Sequence, residues 1–128
     1  MDKPKILSVD DEANFTDMLK QYFEPRGYEI DTASNGETGI EMLKLKKYDV
    51  ALLDFKMVGL NGDEVMGCIK DVSPGTTIIF ITAFSDSGKT RQSLIDKGAY
   101  AFMEKPVASL KNLEELVNQA ANTVRRSE

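Results

Sequence analysis

The stretch Val50-Ala51-Leu52-Leu53-Asp54 decides the fold, because it sets four apolar residues in a row and closes them with a carboxylate. A run without polar alternation is typical of a strand buried on both faces, as the strands of parallel sheets are. Residues 6–9 and residues 78–81 form similar short runs, and β-branched residues dominate the second of them. The three runs predict the central strands of a parallel sheet.

Longer segments of helical period separate these runs. Apolar residues recur at three- and four-residue spacing over residues 15–23 and residues 110–124, as the buried face of a helix requires. A polar helix is predicted from about Ser87 to Lys97, and a last strand over residues 100–103. With an alternating, edge-type strand over residues 28–33, the pattern indicates five strands alternating with five helices. Right-handed crossovers then place helices on both faces of an open α/β sheet.

Length and composition indicate one globular domain. The chain has 128 residues, of which 41% are hydrophobic and 29% charged, enough for a core and too few charges for a disordered segment. We therefore predict a single domain over residues 1–128, with no separate output domain. Its 16 basic and 21 acidic residues give a net charge of −5, which argues against direct binding of nucleic acid.

The rare residue types exclude whole classes of chemistry. The chain has no histidine, so it cannot form a Ser-His-Asp or Cys-His catalytic group or a histidine metal site. A lone cysteine, Cys68, cannot form an internal disulfide and suggests a reducing compartment. No apolar run approaches the roughly 20 residues that span a bilayer. The expected location is cytoplasmic, without membrane association.

Polar residues follow the predicted strands at the point where each strand ends. Asp10 and Asp11 close the first strand, Asp54 the third, Thr82 the fourth and Lys105 the fifth. In open α/β sheets the ligand crevice lies beyond the carboxyl ends of the strands. A strand order of 2-1-3-4-5 would bring these ends together and leave the second strand at an edge.

The chemistry of this set suits phosphoryl transfer. Converging carboxylates repel one another, so the site needs a cation, and oxygen ligands without histidine or thiolate favour Mg²⁺. A carboxylate beside Mg²⁺ can attack phosphorus and form an aspartyl phosphate, with a hydroxyl and an ammonium to hold the phosphoryl oxygens. Each residue alone also has an ordinary structural explanation; the residues Asp10-Asp11-Glu12, for example, suit a helix N-terminus.

Four segments resemble the receiver domain of two-component response regulators, in particular the chemotaxis-type regulators. They are residues 6–12, residues 52–57, residues 81–83 and residues 98–106, and the likeness covers nearly the whole chain. The resemblance implies a flavodoxin-like, doubly wound, five-stranded parallel sheet with five helices and strand order 2-1-3-4-5. It also implies a phosphorylation-dependent signalling switch rather than an enzyme with a separate substrate.

The resemblance further implies a set of site residues around Mg²⁺. Asp54 would be the phosphoacceptor. Asp11 would bind the metal directly and Asp10 through water, and the backbone carbonyl of Lys56 would be a further ligand.

The remaining implied roles belong to the fourth and fifth strands. Thr82 would bind the phosphoryl group and Lys105 would pair with it, with a cis peptide bond between Lys105 and Pro106. Phe102 occupies the aromatic switch position and would rotate when Thr82 moves; ordinary core packing is the alternative explanation for this ring. Phe84 is expected to shield the acyl phosphate from water.

The phosphoryl group would have to come from another protein, because this chain has no histidine. A sensor histidine kinase or a histidine phosphotransfer protein is the implied donor. The fourth helix, fifth strand and fifth helix would form the surface that a downstream protein reads, and the sequence does not name that protein.

Three other functions share parts of the pattern. Residues Ala83–Thr90 nearly match a nucleotide-binding P-loop with Lys89 as its lysine, but Ala83 replaces the first glycine. A haloacid-dehalogenase-type phosphatase needs an acid two residues after its nucleophile, where this chain has Lys56. A flavodoxin-type electron carrier would have to bind a flavin phosphate beside Asp10 and Asp11, which would repel it.

Overall fold

Five parallel strands form one sheet in the computed structural model, which describes residues 3–83 and 86–127, with side chains as far as residue 122. Their spatial order is β2-β1-β3-β4-β5, so the predicted order is confirmed. The strands are β1 Lys5–Val9, β2 Glu29–Ala33, β3 Val50–Leu53, β4 Thr77–Thr82 and β5 Ala101–Glu104.

Helices connect consecutive strands and cover both faces of the sheet. A short 3-10 helix, Glu24–Arg26, follows the first helix, and Gly27 ends it at a φ of 92°. Left-handed backbone of this kind favours glycine, so the helical segment ends at this residue. The helices are α1 Ala13–Phe23, α2 Gly36–Leu45, α3 Gly62–Val72, α4 Lys89–Asp96 and α5 Leu110–Ser127.

The fourth helix is shorter than predicted. It was expected from about Ser87, but it begins at Lys89 because Ser87 and Gly88 have φ angles of 63° and 86° and cannot continue a right-handed helix. The last strand is likewise displaced by one residue, to Ala101–Glu104. Both differences lie at element boundaries and leave the topology unchanged.

The sheet separates two apolar clusters. Leu7, Leu53 and Phe80 point to the face covered by α2, α3 and α4. Leu52 and Ile79 point to the opposite face, under α1 and α5. Every residue of β3 is buried, as an apolar run without alternation predicts. The core therefore holds the ends of the central strands rigidly in register.

Gly62 places the start of α3 against the end of β3. A Cβ atom at this position would lie 2.6 Å from the backbone oxygen of Asp54 and 2.7 Å from the ring of Phe80. The Gly62 N–H donates a hydrogen bond to the Phe55 carbonyl at 2.7 Å. Only glycine permits this approach, so the loop after Asp54 is closed tightly over the strand end.

Two leucines test how far the buried strands determine stability. Leu7→Ala removes a fully buried side chain from β1 and should lower the free energy of unfolding by about 2–5 kcal/mol. Leu45→Ala removes the same atoms from a side chain that is 88% exposed and should change it by no more than about 0.5 kcal/mol. Urea unfolding followed by circular dichroism measures both. Equal losses in the two variants would contradict the two-cluster core.

Candidate functional site

Two buried aspartates lie side by side where β1 and β3 end. The Asp54 N–H donates to the Val9 carbonyl at 3.0 Å, and the Asp10 N–H donates to the Ala33 carbonyl at 3.0 Å, so the ladder continues to both residues. Asp10 is 3% exposed and Asp54 6% exposed. The parallel register thus brings two carboxylates together with almost no contact with water.

Lys105 reaches the same point from the end of β5. Its Nζ atom lies 2.8 Å from Asp10 Oδ2, 2.5 Å from Glu12 Oε1 and 3.9 Å from Asp54 Oδ2. The Lys105 N–H donates to the Thr82 carbonyl at 2.9 Å, and the peptide bond to Pro106 is cis, as predicted. The ammonium group is therefore directed into the acidic cluster by a well-anchored loop.

Hydrogen bonds from two neighbouring segments reach the Asp54 carboxylate. The hydroxyl of Thr82, which is 1% exposed at the end of β4, is one donor. The backbone N–H of Lys56 is the other. Together with Lys105, these groups bring three separate stretches of chain, at the ends of β3, β4 and β5, to one carboxylate, which is the convergence that the strand-end pattern predicts.

Asp11 and Glu12 occupy the rim of the cluster. Asp11 is exposed, and its charge lies close enough to raise the pKa of Asp54. Glu12 was not singled out from the sequence except as a residue suited to a helix N-terminus. In the structure its carboxylate lies with those of Asp10 and Asp54, with ligand oxygens within 4.8 Å of one another, and it forms no capping hydrogen bond.

Burial dominates the electrostatics of the two central acids. Loss of hydration raises the pKa of Asp10 above its usual range, although hydrogen bonds from Lys105 and from the Glu12 N–H oppose the shift. Burial also raises the pKa of Asp54, against the hydrogen bond from Thr82. For Lys105, burial opposes the charge, but the hydrogen bonds to Asp10 and Glu12 raise its pKa. The site thus has an excess of negative charge that one ammonium does not balance.

The donor set fits a hard divalent cation. All three clustered ligands are carboxylates, and the described residues add no thiolate or imidazole at this point. Oxygen ligands of this kind suit Mg²⁺, which binds few carboxylates and retains water.

Phe102 lies on β5 with its ring half-buried. Its ring centroid is 6.5 Å from that of Phe80 at an interplanar angle of 30°, and it packs against the cluster under α2, α3 and α4. This packing agrees with the ordinary core explanation and with a switch position alike.

The P-loop-like segment has a different use in the structure. The Thr90 N–H donates to Asp86 Oδ1 at 2.9 Å and its hydroxyl donates to Asp86 Oδ2 at 2.6 Å. A carboxylate of the chain itself therefore lies where a P-loop would bind phosphate, at the start of α4. Phe84, with its predicted shielding role, lies outside the described residues.

Comparison with known proteins identifies the family. The sequence model of the response regulator receiver domain matches residues 6–118. The chain belongs to the receiver-domain family. Receiver domains are the phosphorylation-dependent switches of response regulators, so this chain is a signalling domain.

Individual relatives agree with this assignment. Response regulator ArlR of Staphylococcus saprophyticus is 33% identical over 95% of this receiver domain and 53% of ArlR. Sporulation initiation phosphotransferase F of Bacillus subtilis is 29% identical over 80% of this chain and 82% of that protein. The response regulator TrrA of Thermotoga maritima, solved with Mg²⁺-BeF, has a TM-score of 0.80 and 36% identity, covering 92% of this chain and 99% of TrrA.

The receiver domain spans only part of several relatives. It matches 28% of a cyclic di-GMP phosphodiesterase of Thermotoga maritima and 55% of the transcriptional regulator CrdR of Helicobacter pylori. Among the described helices, none combines the length and apolar character that crossing a membrane requires.

The raised pKa of Asp54 predicts a pH-dependent stability difference. The folded state binds the proton of Asp54 more tightly than the unfolded state does. The stability that this protonation contributes is therefore present at low pH and is lost as the pH rises through the raised pKa. In metal-free protein, Asp54→Asn should therefore be more stable than the wild type near neutral pH. The difference should shrink as the pH falls towards 3.8, the usual value for aspartate.

Urea unfolding over a pH series measures this difference, with the exposed Asp71→Asn as a control for the loss of one charge. A destabilised Asp54→Asn near neutral pH would contradict the assignment of burial as the dominant effect.

Proposed function

We propose that Asp54 is the phosphoacceptor of this receiver domain. The observation that carries the proposal is the convergence of an ammonium, a hydroxyl and a backbone N–H on one buried carboxylate. A carboxylate oxygen of Asp54 would attack phosphorus, the P–N bond of a phosphohistidine would break, and its electron pair would return to the imidazole. Buried and only 6% exposed, the carboxylate is poorly hydrated, which favours attack on phosphorus.

The donor would be the phosphohistidine of a sensor histidine kinase or of a histidine phosphotransfer protein. This chain has no histidine of its own, so the P–N bond that breaks must belong to another protein. Receiver domains of response regulators obtain phosphoryl groups in this way.

Mg²⁺ is the proposed metal, held by Asp10, Asp11, Asp54 and the backbone carbonyl of Lys56. When bound, it would neutralise charge on the phosphoryl oxygens during transfer. Support comes from the clustered carboxylates of Asp10 and Asp54, with Glu12 beside them, and from TrrA, the relative solved with Mg²⁺-BeF. The side chain of Asp11 is exposed, and its charge contributes to the raised pKa of Asp54, after burial as the main cause.

Thr82 and Lys105 are proposed to bind the phosphoryl oxygens. Thr82 already donates to Asp54 and the Lys105 Nζ atom lies 3.9 Å from its carboxylate, so both groups are near enough to reach a phosphoryl group there. Movement of Thr82 would change the packing next to Phe80, against which Phe102 rests. We propose Phe102 as the residue that couples this movement to the surface.

The readout is proposed to be a protein contact through α4, β5 and α5. β5 is an edge strand of the sheet, and α4 and α5 flank it in the chain. We propose that residues 1–128 act as a single receiver domain in the cytoplasm, without membrane association, direct nucleic-acid binding or turnover of a separate substrate. The downstream partner is another protein.

Incubation with an acyl phosphate donor and Mg²⁺, followed by mass spectrometry of the intact protein, tests the phosphoacceptor. The wild type should gain the mass of one phosphoryl group and Asp54→Asn should gain none. Lys105→Met should be phosphorylated at least about tenfold more slowly, because loss of a charged group at the transition state costs more than about 1.4 kcal/mol.

Asp71→Asn is the matched control, since it removes a carboxylate from the exposed face of α3 and should react like the wild type. Modification of Asp54→Asn to the wild-type extent would refute the assignment. Omission of Mg²⁺ should suppress the reaction in the wild type.

A further inference from the structure

The ammonium group of Lys105 is held by more than the two buried aspartates. Its shortest contact, 2.5 Å, is to Glu12 Oε1, whereas Asp54 Oδ2 is 3.9 Å away. The same Nζ atom lies 4.3 Å from the centroid of the Phe15 ring, one turn further along α1. The Lys105 ammonium therefore lies closer to Glu12, and to Asp10 at 2.8 Å, than to Asp54.

The position of Glu12 is set by its backbone. The Glu12 N–H donates to Asp10 Oδ1 at 2.9 Å, and its carbonyl accepts hydrogen bonds from the N–H groups of Phe15 and Thr16. Its side chain makes no capping hydrogen bond and is 59% exposed. The start of α1 takes no side-chain hydrogen bond from this carboxylate, and its observed contact is the ion pair with Lys105.

We propose that Glu12 is a positioning residue that holds the Lys105 ammonium at the rim of the unphosphorylated site. This inference rests on the proposed function of Asp54. A contact made in only one of two states favours that state by its own free energy. Movement of Lys105 to a phosphoryl group on Asp54 breaks the pair with Glu12, so Glu12 opposes occupation of the site by a phosphoryl group.

If Glu12 instead bound the divalent cation, loss of its carboxylate would have the opposite effect on the affinity for a phosphoryl mimic. Its carboxylate belongs to the acidic cluster, so a metal contact is geometrically open to it. Loss of a metal ligand would weaken binding of a phosphoryl mimic that depends on the metal. Loss of the contact with Lys105 would strengthen it.

Binding of beryllofluoride at saturating Mg²⁺ separates the two roles. This tetrahedral anion complex imitates a phosphoryl group without a covalent step, and amide NMR shifts measure its affinity. Glu12→Gln should bind it about two- to fivefold more tightly than the wild type, the range expected for one partly exposed ion pair. Asp17→Asn, which removes a charge from the exposed side of α1, should leave the affinity within about 1.5-fold of the wild type.

A double-mutant cycle shows whether Glu12 acts through Lys105. In a Lys105→Met background the Glu12→Gln substitution should change the affinity by less than about 1.5-fold. Persistence of the full effect there, or weaker binding by Glu12→Gln in the wild-type background, would overturn the proposal.

Ionic strength provides a test that needs no substitution of Lys105. The ratio of the wild-type and Glu12→Gln affinities should approach one as salt rises to about 1 M, where exposed charges are screened. A ratio that stays constant contradicts the ion pair. If the wild type fails to bind beryllofluoride even with Mg²⁺, the phosphoacceptor assignment itself fails, and that result is distinct from an unchanged Glu12→Gln ratio.

Discussion

The enforced proximity of buried carboxylates at the ends of β1 and β3 is the constraint on which the site depends. Backbone hydrogen bonds extend the parallel ladder to Asp10 and Asp54, so neither residue can withdraw without loss of register. Because burial raises the pKa of both groups, the folded protein keeps a pair of acids that are poorly solvated and mutually repulsive. A nearby cation relieves this unfavourable arrangement, and the protein supplies one in Lys105.

This arrangement connects stability with signalling. A core covered on both faces holds the strand ends rigid, and the tight approach of Gly62 closes the loop beside Asp54. The Thr82 hydroxyl and the Lys56 N–H already donate to the Asp54 carboxylate, and donors fixed in place beforehand are the condition for efficient electrostatic stabilisation. Thr82 ends β4 and Lys105 follows β5, so two of the groups near Asp54 lie on the β4–β5 side of the sheet.

Much of the fold and site follows from local patterns. Unbroken apolar runs predict buried parallel strands, and their polar terminal residues predict where the chemistry lies; Asp54, Thr82 and Lys105 are indeed brought together. The start of α4 was predicted two residues too early, because left-handed backbone at Ser87 and Gly88 has little signature in side-chain polarity. Glu12 was overlooked as a site residue because an acid at the start of a helix is readily explained as a helix cap. In the structure, however, its side chain forms no capping hydrogen bond.

The sequence by itself determined the class of fold, the strand ends that carry the polar groups and the absence of histidine chemistry, since each depends on residue type and period along the chain. Only the tertiary structure decided which carboxylates form ion pairs with Lys105. Lys105 is more than ninety positions from Asp10 and Glu12, and contacts at that separation depend on strand order and side-chain reach rather than on local preference. Three-dimensional packing thus determines that Lys105 pairs with Asp10 and Glu12 and lies near Asp54.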